Sequence, residues 1–175
     1  LDLVALGTVA DVVPLDLNNR RLVHYGLSQI KREKCQIGVL ALLKAAGKTA
    51  QHVTSSDLGF VLGPRLNAAG RLSDMSLGIE CLLSDDPQKC FEMALELTRL
   101  NAERKDIESE MKERAFSLIS EVIGEPGSND GPFAFSVFHK DWHQGVVGIV
   151  AARIKDRFHR PAIAFASVED GLLKG

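Results

Sequence analysis

Between Pro87 and Gly124 the chain carries neither glycine nor a further proline, and no other stretch constrains the fold as much. Asp86 is a good helix N-cap and Pro87 suits the first helical position. Apolar residues at 91, 95, 102, 107, 111, 115, 118 and 122 then keep helical spacing. The pattern predicts one helix over 85–123, a rod of roughly 55 Å at 1.5 Å per residue. Its middle, "NAERKDIESEMKER", is highly charged and reads as a solvated connector. No strict heptad repeat survives, so a coiled coil is not predicted.

The texture differs on the two sides of this rod. On the N-terminal side the signals are helical. The apolar run 3–13 reads as a helix ended by Pro14, and Asn18 or Asn19 as the cap of a second helix through Ile30. "QIGVLALLKAAGK" reads as a third helix that stops at Gly47, and Ser55 or Ser56 as the cap of a fourth over 57–72. On the C-terminal side "GEPGSNDGP" at 124–132 is the best linker. After it, "FAFSVFHK", "GVVGIVAARIKDRF" and "PAIAFA" alternate strand, helix and strand, which predicts a right-handed parallel crossover. The expected fold class is therefore α/β overall, predominantly helical in this stretch, with a domain boundary near 124–131.

Composition excludes several classes. No run of about 18 apolar residues is present to span a membrane, and no basic, apolar leader opens the chain. Cys35, Cys81 and Cys90 are odd in number and lack C-x-x-C spacing, which argues against a disulfide framework or a zinc site. Reduced thiols in a cytoplasmic protein are the expectation. The chain opens without Met inside an apolar run and stops at "DGLLKG", so it reads as part of a longer sequence. Charge is unevenly spread: residues 20–71 carry nine Lys/Arg against two acids, and residues 72–130 carry fourteen acids against six bases. A basic block of this kind suits an anionic ligand, although solvated helix faces give the same pattern.

Three stretches carry candidate chemistry. In "GTVADVVPL" the carboxylate of Asp11 sits inside an otherwise apolar run, where burial would demand a partner or a metal. Hard divalent cations such as Mg²⁺ or Mn²⁺ take carboxylate oxygens, and the remaining ligands would lie elsewhere. In "DLGFVLGPRLNAAGRL" at 57–72, a helical wheel places Arg65 in the apolar stripe of Leu58, Val61, Leu62, Leu66, Ala69 and Leu72, with Asn67 and Arg71 pointing away. Arg65 there needs an anionic partner, either an internal carboxylate or a phosphate. Pro64 should kink the helix, and Gly59, Gly63 and Gly70 suggest close approach of backbone or ligand or a break. In "WHQGVVGIVAARI" at 142–154, Val146, Val147, Val150, Ala151, Ile154 and Phe158 form a core face, with Gly145, Gly148 and Ala152 as a small-residue stripe opposite. The helix start near Gly145 offers free N–H groups to an anion, and Trp142, His143 and Gln144 form a binding lip beside it. Helix packing alone would also account for the stripe.

Taken together, "LVALGTVADVVPLDLNNR", "LGPRLNAAGRL" and "WHQGVVGIVAARIKDRFHRPAIAF" resemble, in this order, the RecJ family of the DHH phosphoesterase superfamily, over essentially the whole chain. The resemblance implies a 5′→3′ exonuclease that releases mononucleotides from single-stranded DNA in repair and recombination, using two divalent cations, Mn²⁺ or Mg²⁺. It implies that 1–84 is the end of a DHH catalytic domain, 85–123 the connector helix, 124–131 a linker, and 132–175 the start of a DHH-associated, substrate-binding domain. Asp11 would be a catalytic metal ligand. Arg65, Asn67 and Arg71 would line the DNA path, and Trp142, His143, Gln144, Gly145 and Gly148 would face substrate. Single-strand-binding protein and a helicase are implied partners, with no membrane and a monomeric state. The Asp-His-His signature and the glycine- and histidine-rich closing motif are absent and would lie before Leu1 and after Gly175. The 175-residue stretch alone is therefore expected to be inactive, and residues 1–123, without the catalytic sheet, to expose apolar surface.

Two other readings compete: a DHH phosphoesterase acting on short oligonucleotides or cyclic dinucleotides, and a non-catalytic nucleic-acid-binding module. The long connector and the basic 20–71 block favour a longer DNA substrate. The presence of Asp11 argues against a module that has lost its metal site.

Overall fold

In a computed structural model of the chain, residues 1–123, 132–168 and 171–175 are described. They divide into two compact units, Leu1–Ala102 and Glu103–Gly175, with the division falling inside the longest helix. The linker read at 124–131 lies outside the described residues.

The first unit is helical, with no strand among the described residues. Helix α1 spans Asp2–Ala10, α2 Leu17–Lys31 and α3 Ile37–Ala45. A 3₁₀ turn at Ala50–His52 and a single turn, α4, at Ser55–Asp57 follow. A π-helical turn, Leu58–Leu62, runs directly into α5, Gly63–Leu72. Then come α6, Ser76–Leu83, and the long helix α7, Pro87–Ile123, which begins in this unit. Two expected caps are replaced by neighbours. Asp16, not Asn18 or Asn19, caps α2 by accepting from the Asn19 N–H at 2.8 Å. Thr54, not Ser55 or Ser56, caps α4 in a reciprocal box with Asp57. A side chain must precede the first helical turn to reach its free N–H groups, and Asp16 and Thr54 are the residues at those places. Asp86 caps α7 as read, accepting from the Gln88 and Lys89 N–H groups at 2.9 and 3.2 Å.

Helix α6 has no counterpart in the sequence reading. It packs on α3 through Gly38: a Cβ built there would stand 1.8 Å from the Cys81 carbonyl oxygen. Only a glycine lets the two helices approach this closely. Leu42, Leu43, Ile30, Leu58, Leu62 and Leu97 are fully buried in the same core as Cys81, each stabilising by about 1.5–3 kcal/mol. The three cysteines are free thiols. Cys81 and Cys90 are buried, and each thiol donates to the other's carbonyl, at 3.6 and 3.5 Å. Burial pushes the Cys81 thiol up to about 11, and burial followed by the charges of Asp2 and Glu33 does the same to Cys35.

The second unit holds the rest of α7, then β1 (Phe135–His139), α8 (Val147–Phe158), β2 (Ala162–Ser167) and β3 (Leu173–Lys174). Strands β1 and β2 pair in parallel from Phe135↔Ala162 to His139↔Ala166, as the strand-helix-strand pattern requires. Strand β3 adds antiparallel to β2. Val146, Val147, Val150 and Ile154 bury the core face of α8. Gly38→Ala is expected to lower the unfolding free energy by more than about 2 kcal/mol through the clash with Cys81. A chemical-denaturation midpoint equal to that of the parent chain would show that the α3–α6 contact is not tight.

Candidate functional site

Helix α1 ends at Asp11, whose backbone N–H donates to the Gly7 carbonyl at 3.0 Å. The next residue, Val12, adopts a left-handed conformation with φ of 55°. That place after a helix normally goes to glycine, and for a β-branched residue it costs on the order of 1–3 kcal/mol. Sequence placed Asp11 in a buried run; the structure corrects this. Asp11 is exposed, and so are Val12 (86%), Val13, Leu15 and Leu17. The core of α1 lies at Ala5 and Leu6, and the chain leaves it before the carboxylate is reached. Asp11 is nevertheless unusual. Its carboxylate sits at the negative end of the helix macrodipole, where an anion is disfavoured. It accepts no hydrogen bond and meets no cation among the described residues.

The second motif packs against this end of α1. A Cβ on Gly63 would touch the Ala10 Cβ at 3.0 Å, and one on Gly59 the Val9 Cγ1 at 3.3 Å. Two of the three glycines singled out in sequence thus admit α1. Gly70 has only ordinary contacts, with Met75 at 3.5 Å. The irregularity expected at Pro64 is displaced upstream: the ladder widens into the π turn before the proline enters α5 near its first position. A proline has no N–H for that ladder, and a π turn is one way to absorb the loss.

Arg65 is half-buried, as its place in the apolar stripe implied, but its partners are neutral. Nε donates to the Thr98 hydroxyl at 3.1 Å, and Nη1 donates to the Val61 carbonyl at 2.7 Å. Thr98 is held in turn by donating to the Ala94 carbonyl at 2.8 Å. No carboxylate pairs with Arg65 among the described residues, so the internal-carboxylate reading is not what the structure shows. Burial alone draws its pKa below the ordinary arginine value. Asn67 and Arg71 lie on the exposed face of α5.

The third motif belongs to the second unit. Trp142 is buried (5% exposed), with its ring 6.1 Å from that of His139. His143 accepts from the Gly145 N–H through Nδ1 at 3.1 Å, which leaves Nε2 as its donor when neutral. Helix α8 starts at Val147, two residues beyond Gly145, and no side chain caps it. The free N–H groups expected near Gly145 are therefore those of the Val147–Gly148 turn. Gln144 and Gly148 are exposed, and a Cβ on Gly148 would meet nothing within 4 Å. The Gly148 and Ala152 stripe is thus an open face and not a packing seam.

Trp142 and His143 line a cleft of about 700 Å³ with His139, Asp141 and α7 residues that include Glu110 and Arg114. Sequence reasoning missed His139, Asp141 and Arg114. The available signal was topological: His139 ends a strand that feeds a parallel crossover, and ligand sites in open α/β sheets collect at carboxyl ends of strands. No group of three or more His, Cys, Asp or Glu side chains suited to a metal occurs among the described residues.

No protein-family model matches the chain. It is 55% identical over all 175 residues to the single-stranded-DNA-specific exonuclease RecJ of Escherichia coli, of which it spans 30%. A crystal structure of RecJ with Mg²⁺ from Thermus thermophilus superposes with a TM-score of 0.80 at 34% identity, covering 94% of this chain and 25% of that one. A structure of exonuclease RecJ bound to manganese superposes at 0.81 with 34% identity, covering 94% of this chain and 40% of that one. Sequence and fold thus agree in matching RecJ over essentially the whole of this stretch. The chain spans about 30% of the length of the curated relatives it matches.

The Arg65–Thr98 pair generates a stability test. Thr98→Val leaves the half-buried Nε–H without its acceptor and is expected to cost about 1–3 kcal/mol, whereas Thr98→Ser restores the bond and most of the stability. Equal melting temperatures for the two variants would refute this assignment.

Proposed function

We propose that this chain is part of a metal-dependent exonuclease that degrades single-stranded DNA from the 5′ end, releasing mononucleotides in repair and recombination. The observation that carries the reading is the carboxylate of Asp11, exposed and unpartnered against an opposing helix dipole. It lies in a chain 55% identical to a single-stranded-DNA-specific exonuclease. A hard oxygen donor left open in this way fits Mg²⁺ or Mn²⁺, the ions bound in the related structures. Asp11 would be one ligand of the two-cation site. Bound divalent cations supply Lewis-acid stabilisation of phosphoryl oxygens and activation of water.

The chain's own residues bind and orient the strand. Arg65 keeps N–H donors beyond those used by Thr98 and Val61, and its charge has no counter-ion among the described residues. The remaining donors suit a bidentate contact to a phosphate. Asn67 and Arg71 extend this contact along α5. In the second unit Trp142 stiffens the lip, Gly145 holds the His143 ring by donating to Nδ1 so that Nε2–H faces outward, and the backbone N–H groups at Gln144 and Gly148 are offered to a phosphate. Such contacts position a strand without reading its sequence. By this reading 1–84 ends the catalytic domain, 85–123 is the connector and 132–175 begins the substrate-binding domain. Single-strand-binding protein and a helicase are the partners to test, and a cytoplasmic monomer is the expected form. No described helix is long and apolar enough to cross a membrane.

The deciding experiment compares the full-length protein with its Asp11→Ala variant, with Mn²⁺, on 5′-phosphorylated single-stranded DNA and on a dinucleotide. The parent is expected to shorten the long strand from its 5′ end. The variant should be slower by ~100-fold or more, equivalent to about 3 kcal/mol of transition-state stabilisation. Cleavage of the dinucleotide alone would favour a small-substrate phosphoesterase, and equal rates on DNA would make Asp11 structural. The 175-residue chain, purified by itself, is expected to show no metal-dependent nuclease activity, because one carboxylate cannot hold two cations.

A further inference from the structure

A concavity of about 490 Å³ lies on the second unit, lined by Arg104, Lys105, Glu108, Ser109 and Lys112 of α7 and by Arg153 of α8. Glu108 is its single acidic lining residue, and both carboxylate oxygens are engaged. Arg104 donates to Oε2 through Nη1. Arg153 donates to Oε1 through Nε at 3.0 Å and approaches it with Nη2 at 2.9 Å. One carboxylate thus serves two guanidinium groups, and the lining holds no second acid for the lysines. Lys105 is exposed and Lys112 half-buried, and neither forms an ion pair among the described residues. The nearby acid of α8, Asp156, pairs with Lys155 at 3.1 Å.

We propose that this concavity is a subsite for the sugar–phosphate backbone of single-stranded DNA, separate from the Asp11 and Arg65 motifs, with Lys105 and Lys112 as its phosphate contacts. The proposal rests on the nuclease reading above. Three features select this ligand. The positive charge is in excess and spread over two helical turns, which suits a polyanion better than one small anion. The lining contains no aromatic and no amide side chain, so there is nothing to stack on a base or read its edge, and backbone contact is what remains. The Glu108 bridge ties α8 to α7 within the unit, so the helical turns that carry the two lysines are braced against a neighbouring element.

The test uses the full-length protein, its Lys105→Gln/Lys112→Gln double variant and the Lys105→Arg/Lys112→Arg double variant. Binding to a long oligo-dT is followed by fluorescence anisotropy without divalent cations, between about 50 and about 200 mM salt. Each single-strand phosphate contact contributes about 0.7 to the slope of log K against log salt. The glutamine variant should therefore show a slope shallower by about 1.4, the arginine variant should keep the parental slope, and all three should cleave a dinucleotide at one rate. A parental slope in the glutamine variant overturns the subsite and leaves the nuclease reading standing. A parent that neither binds nor shortens single-stranded DNA overturns that reading, and the ligand assigned here with it.

Discussion

The contact between Ala10 and Gly63 is the constraint on which the first unit's site depends. With no Cβ at Gly63, the end of α1 settles against the start of α5, and Gly59 repeats the approach one turn earlier. The same segment must accommodate Pro64, which cannot complete the ladder, and it does so by widening into the π turn Leu58–Leu62. Val61 lies in that turn, and its carbonyl accepts one arm of Arg65. A single packing decision thus stations Asp11 at the tip of α1 and fixes the guanidinium of Arg65. Both "GTVAD" and "LGPR" are needed for this arrangement, although some fifty residues separate them in the sequence.

Long-range order was legible where it had a local cause. The α7 helix announced itself by the absence of breakers and by Asp86–Pro87, and the parallel pairing of β1 with β2 by an amphipathic helix between two short apolar runs. The caps lie one to three residues before the positions read from sequence because Asp16 and Thr54 compete with equally good neighbours, and only the chain's path decides among them. Burial at Asp11 could not be read at all. A continuous apolar run does not say which of its residues face the core, and here Val12 to Leu17 face outward. Helix α6 was invisible for a related reason: "SDMSLGIECLLSD" holds a glycine that looks like a breaker. In the fold Gly78 lies on the buried face, and a Cβ there would stand 3.3 Å from Leu66.

Asp11 and Arg65 share an electrostatic character that separates them from ordinary surface charges. Each is held in place by the backbone or by neutral groups, and neither meets an opposite charge among the described residues. A protein selected for stability alone would pair them or replace them, since an anion at a helix C-terminus and a half-buried cation both work against folding. The strain at Val12 falls on the residue next to Asp11, and strained backbone collects at sites where ligands supply the missing interaction.

Glu108 shows the opposite condition and changes how the long helix is to be understood. From the sequence its charged middle reads as a solvated connector. Arg104 and Glu108 pair one turn apart, as opposite charges on one helix face do. Glu108, however, is largely buried and is shared with Arg153, 45 residues away. Once that carboxylate is committed twice, the local balance of the helix no longer closes, and its lysines become the exposed remainder. A near-neutral charge run can in this way present a positive surface. The sign of that surface follows from which partners the fold brings across from another element, and composition along the helix cannot state it.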